Sequence, residues 1–177
     1  MADPSSRDGR TFRHEYGHHV DNVLNPGNYR YLSETDQAFM DAFTADRKRL
    51  GLDKTITKSA SLTTLHKRFF EPKVYEKTIK IQGVEKVEWF QKPTIKDESC
   101  AGISDIIDNM TSGYFRKNYP GVFGHSVKYY KDYAPNKYIE TFANLFELRA
   151  SKTQWDLTKE LFPDVVARFE KLITEVI

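Results

Sequence analysis

The chain has 177 residues, of which 39% are hydrophobic, 29% charged and 14% aromatic. That composition excludes a disordered chain and gives room for one sizeable core but not for two comfortable domains. The 27 basic and 25 acidic residues leave only +2, so charge makes no case for nucleic acid. No apolar run nears the ~18 residues of a membrane span, and no signal-peptide pattern opens the chain.

Residues 1–9, "MADPSSRDG", are small and polar and read as a flexible lead-in to a single domain over 10–177. The spacing predicts a helix from about Arg10 to Leu24, broken by "NPGN" at Asn25–Asn28. Ser33 with Asp36 has the form of a capping box, opening a helix that carries Phe39, Ala42, Phe43 and Leu50 and stops at Gly51. A shorter helix is expected over Ser61–Phe70, closed by Pro72. "KVYEKTIKI" and "VEKVEWF" then flank Gln82-Gly83 and predict a β-hairpin from about Val74 to Phe90. After Pro93 a helix is expected at roughly Ser99 to Ser112, with Gly113 as its stop. The Gly- and Pro-punctuated stretch from Asn118 to Pro135 reads as structured loop with one short helix. Helices from Asn136 to about Ser151, Thr153 to Leu161 and Pro163 to Ile177 complete the chain, Pro163 standing in the first turn of the last. Cys100 is the only cysteine, so no internal disulfide forms, and compartment is not legible from it.

The chemistry concentrates in "RHEYGHHVDN", residues 13 to 22, which holds three of the five histidines. On a helix, His14 and His18 lie four apart on one face and can grip one metal ion, zinc by preference for nitrogen and oxygen donors. Glu15 is turned away from that face, free to act as a general base on water beside the metal. A catalytic site needs a third protein ligand and an open position. Glu140 in "YIETFANLFELRA" is the candidate, backed by apolar Phe142, Leu145, Phe146 and Leu148. Read alone, it is equally an acid in the first turn of a helix, favoured there by the macrodipole. Asp21, Asp105 and Asp108 are candidates to accept the second N–H of the ligand imidazoles. His125 in "FGHSVKYY" either donates to an oxyanion or bonds a loop carbonyl.

"HEYGH" followed far downstream by "ETFANLF" resembles the zinc peptidase domain of anthrax lethal factor and the related Pro-Pro endopeptidases. The resemblance implies a mostly helical α+β zincin fold, Zn2+ held by His14, His18 and Glu140, and Glu15 as base and then acid. It also implies a catalytic tyrosine seven residues before the ligand glutamate, here Tyr133, with Tyr129 and Tyr130 competing for that hydroxyl role. "ISDIIDNMTSG", "VFGHSVKYY" and "ETFANLFELRA" also resemble the metallopeptidase-like C-terminal module of phage minor head proteins. The two resemblances cover about residues 10–24 and 101–177 and leave out an insertion at about 52–93. They imply a zinc-dependent endopeptidase acting on a protein or peptide. The alternative is a virion structural module that keeps the fold without protease activity, with other phage head proteins or an upstream region of a longer parent chain as partners. Virion-associated, secreted and host-cytoplasmic locations all stay open.

Three departures from the pattern carry expectations of their own. The stretch between His18 and Tyr133 is far longer than in the compact toxin domains. Asn144 stands where a carboxylate is common in the ligand helix, with Glu147 one turn on as its substitute. The strands that ordinarily precede the active helix are missing. The expected hairpin, or a region upstream, is then left to supply the sheet edge on which such enzymes hold substrate.

Overall fold

The computed structural model describes residues 7–52, 60–96 and 100–175. Helices dominate them, with one two-stranded antiparallel sheet, which is the mostly helical α+β class expected. The lead-in up to residue 6, the helix start at Ser99 and the last turn at Ile177 lie outside the described residues. Helix α1 (Arg7–Val23) takes in residues 7–9, so the lead-in is shorter than the sequence suggests. No helix among the described residues is long and apolar enough to cross a membrane.

The start of α2 (Gln37–Arg49) corrects the capping-box expectation. Asp36 is the N-cap, accepting the Phe39 N–H at 2.7 Å and the Arg168 guanidinium at 3.0 and 2.5 Å. Ser33 is instead buried, and its backbone N–H and hydroxyl go to the two carboxylate oxygens of Asp21 at 2.8 and 2.5 Å. Asp21 therefore pins the α1–α2 connection. Its expected role behind the histidines is corrected too, since its carboxylate bonds Ser33 while His18 Nδ1 has no hydrogen-bond partner among the described residues.

Burial pushes the Asp21 carboxyl up to about 7, against the lowering effect of the Ser33 bonds. A folded value above the ordinary 3.8 means that its contribution to stability is complete at acid pH and is lost as pH rises through about 7. Asp21→Asn removes that slope. Urea unfolding at pH 5 and pH 8 should show wild type losing about 2–3 kcal/mol relative to Asp21→Asn between the two. Parallel pH profiles would contradict this.

Helix α3 (Ala60–Phe69) runs directly into strand β1 (Phe70–Ile81), which pairs along its whole length with β2 (Val84–Ile95). Gln82 and Gly83 both have positive φ, 51° and 82°, the signature of the tight turn that matches strand twist. The hairpin is longer at its base than expected. Phe70 belongs to the strand because its buried ring stacks on His66 at 4.7 Å and meets Phe115 at 6.3 Å.

The remaining helices are α4 (Ala101–Met110), α5 (Tyr114–Asn118), α6 (Val127–Asp132), α7 (Asn136–Leu148), α8 (Lys152–Leu161) and α9 (Pro163–Thr174). Helix α6 is the one expected inside the Asn118–Pro135 stretch. Helix α5 adds a turn just before that stretch, and α7 ends at Leu148 rather than Ser151. Pro163 takes the first turn of α9 as expected.

Helix α7 is the hub of the fold because it is apolar on one side and polar on another. Phe142 is fully buried between Phe39 of α2, at 6.0 Å, and Phe169 of α9, at 4.9 Å. Leu145 and Leu148 are fully buried, as are Ile103, Ile106 and Ile107 of α4, the helix packed beside them. Each such side chain contributes roughly 1.5–3 kcal/mol by leaving water. The polar stripe Glu140, Asn144 and Glu147, interrupted by Ala143, turns instead toward α1.

Candidate metal centre

The crossing of α1 and α7 is set by their two smallest contact residues. A methyl group added at Gly17 would sit 2.8 Å from the Ala143 Cα and 3.1 Å from its carbonyl oxygen, closer than real side chains approach backbone. Only glycine on α1 lets the helices lie this near. Gly17→Ala gains about 1 kcal/mol of helix propensity, but it overpacks a backbone contact, at a typical cost of 1–3 kcal/mol. Because the helix that must shift carries both candidate histidines, the expected result is weaker zinc binding together with no gain in thermal stability. A more stable variant with unchanged zinc affinity would refute this reading of the contact.

With the helices so close, three donors converge. The Nε2 atoms of His14 and His18 lie 3.3 and 3.7 Å from Glu140 Oε2. The donor atoms of the three residues all fall within 4.8 Å of one another, a grouping able to hold a metal ion. Glu140 Oε2 is buried, yet none of its neighbours makes a properly aligned hydrogen bond to it. A tetrahedral ion with bonds of 2.0–2.2 Å spaces its ligands roughly 3.3–3.6 Å apart; the His14–Glu140 separation falls in that range and the His18–Glu140 separation just beyond it. A nitrogen-nitrogen-oxygen set of this kind suits zinc.

The electrostatics favour a charged carboxylate at the centre. Burial opposes ionisation of Glu140, but its contacts with His125, His14 and Tyr129 outweigh it and hold the carboxyl well below its usual range. The histidines diverge. Burial lowers His14, but Glu140 more than offsets that and its pKa is raised; for His18 burial wins and the neutral form is favoured. Behind His14, Glu147 Oε2 lies 4.0 Å from Nδ1. Glu147, expected as the substitute for the carboxylate missing at Asn144, is therefore near His14 but beyond hydrogen-bond reach. Asn144 is buried beside Asp105, and both line a cleft of about 250 Å³ together with His14 and Glu147. Glu15 is exposed one residue along from His14, and its charge favours the protonated form of His18.

The three tyrosines sort by partner. The Tyr129 hydroxyl donates to Glu140 Oε1 at 2.5 Å, and the Tyr130 hydroxyl donates to buried Asn109 Oδ1 at 2.5 Å. The Tyr133 hydroxyl donates to the Glu34 carboxylate, so the structure does not bring it onto the three donors. Ser126 caps α6 by accepting the Tyr129 N–H at 3.3 Å, and Tyr129 takes Oε1, the carboxylate oxygen other than the one facing the histidines.

His125 joins the cluster from the loop before α6. Its Nε2 lies 3.3 Å from Glu140 Oε2, and its ring stacks on Tyr129 at 4.2 Å. Gly124 (φ +138°) makes this possible, because a side chain there would meet the Asp108 carboxylate at 2.2 Å. Asp108 in turn accepts the Arg116 N–H at 2.8 Å. It therefore shapes the loop that carries His125 rather than receiving an N–H from His14 or His18. The hairpin is tied to the same loop through its base, where the Pro93 carbonyl packs against Gly121.

Sequence reasoning missed three structural residues: Gly17, Ala143 and Gly124. The signal for the first two was present, a small residue three positions after His14 and another three after Glu140, on the same helix faces as the donors. The Tyr129 contact with Glu140 had no signal beyond the tyrosine-rich run. Comparison of the chain with protein-family models, with curated proteins and with solved structures gives no match.

Proposed function

We propose that this protein is a zinc-dependent peptidase of the zincin type. The convergence of His14 and His18 on the buried Oε2 of Glu140, to which no aligned hydrogen bond is made, carries the reading. These three residues hold the ion, which when bound supplies Lewis acidity and makes water a competent nucleophile near neutral pH.

The chain's own groups do the rest. Glu15, exposed beside His14, takes a proton from the attacking water and returns it to the leaving amine. Glu147 and Tyr129 orient the site, the first behind His14 and the second on the free oxygen of Glu140. His125 brings its Nε2 to the site, 3.3 Å from Glu140 Oε2. It is thereby suited to donate a proton or hydrogen bond to developing negative charge on the substrate carbonyl. Tyr133 fills the same role only if its hydroxyl leaves Glu34.

The test is direct. Purified protein should take up one equivalent of zinc and cleave members of a peptide library, with cleavage stopped by a chelator and restored by added zinc. Zinc uptake without cleavage would favour a structural module that keeps the metal. No uptake would remove the peptidase reading and leave only a structural module without the metal.

A further inference from the structure

A second cavity, of about 460 Å³, is walled by Gly113, Arg116, Lys117, His125, Ser126 and Lys128. Its charged side chains are all basic. Arg116 and Lys117 are exposed residues of α5, and the Lys117 ammonium rests over the Tyr114 ring at 5.4 Å. Lys128 is paired with Asp132 at 2.6 Å, so its charge is partly spent. Asp108 lies behind Arg116, and burial pushes its carboxyl up to about 7, which weakens it as a competitor for the guanidinium. The net character is cationic, whereas the cleft beside His14 sets Asp105 and Glu147 against Arg10.

His125 is the shared wall. Its Nε2 touches Glu140 in the candidate metal centre, and the residue also lines the basic cavity. The α5 residues are held in register with it by Asp108, which accepts the Arg116 backbone N–H while its carboxylate packs against Gly124. A group seated in the cavity therefore lies next to the residues proposed to act on a peptide bond.

We infer that this cavity is a binding subsite for a carboxylate of the peptide substrate, held by Arg116 and Lys117. The inference rests on the peptidase reading for the word substrate, but not for the binding itself. A guanidinium meets a carboxylate through paired N–H donors, and such charge-assisted bonds are about twice as strong as neutral ones. Two sources offer the same chemistry, an acidic side chain within the peptide or the carboxylate at its C-terminus.

Fluorescent peptides binding to the Glu15→Gln protein separate these sources without being consumed. Three peptides of otherwise identical sequence are compared: one with an internal Glu and an amidated end, one with Gln and an amidated end, and one with Gln and a free C-terminus. Either or both of the carboxylate peptides should bind at least about tenfold tighter than the neutral one. The advantage should shrink as salt rises and vanish in Arg116→Ala/Lys117→Ala, whose folding is checked by circular dichroism and zinc content. Equal affinity for all three peptides, or an advantage that survives the double substitution, would overturn the subsite. Cleavage without a carboxylate preference sinks this inference alone. A preference that persists in a protein without zinc or cleavage sinks the peptidase reading alone.

Discussion

Replacing Glu140 by alanine is expected to weaken zinc binding by more than about a hundredfold. Changes to groups that only orient a ligand typically cost 10–100-fold in metal affinity, and Glu140 contributes the oxygen on which both imidazoles converge, at 3.3 and 3.7 Å. The loss should far exceed that in Glu147→Ala, because Glu147 stands 4.0 Å behind His14 and is outside the three-donor group. Competition with a chromophoric chelator measures both. The substitution also leaves the Tyr129 hydroxyl without its acceptor. Unfolding of the metal-free proteins therefore has to be measured alongside, to separate lost ligation from lost structure. Equal losses in the two variants would mean that Glu140 is not a ligand but a buried acid paired with histidines.

Glu15→Gln is expected to leave zinc affinity unchanged and to lower kcat by about 10²–10⁴, the usual contribution of a positioned general base. The amide keeps the size and exposure of the side chain but cannot accept a proton from water. Among the described residues, Glu15 makes no side-chain hydrogen bond or ion pair. It is an exposed residue of α1, and the α1–α7 contact is made by Gly17, His14 and His18 on another face of the helix. Retained activity would remove Glu15 from the reaction. Lost zinc would move it into the ligand set. Either result is read with the same two assays, metal content and peptide cleavage.

His14 and His18 were legible because helical spacing is a local property: four residues apart is one face whatever the helix packs against. The same locality made the Gln82-Gly83 turn and the Pro163 helix start readable. The capping box failed for the opposite reason. Ser33 has the right residue type at the right spacing, but Asp21, twelve positions earlier, captures its N–H and hydroxyl, and Asp36 is held by Arg168 of the last helix. A distant carboxylate and a distant guanidinium outweighed a local preference. Tyr133 is a similar case. Its distance from Glu140 along the chain places it in the right segment, but the partner of a hydroxyl depends on which way α6 faces, and the Ser126 cap and the stack on His125 turn Tyr129 toward the carboxylate.

By itself the sequence determined the helical class, the hairpin and its turn, and the pair of imidazoles with a carboxylate beside them, since each depends on residues close together in the chain. Only the tertiary structure decided that Glu140 meets those imidazoles, that Tyr129 and His125 share its carboxylate, and that basic Arg116 and Lys117 line a cavity against His125. Those relations depend on how near two helices can approach. That distance is governed by a missing side chain at Gly17 against the backbone of Ala143, and a steric allowance between residues so far apart in the chain becomes readable only when both helices are in place.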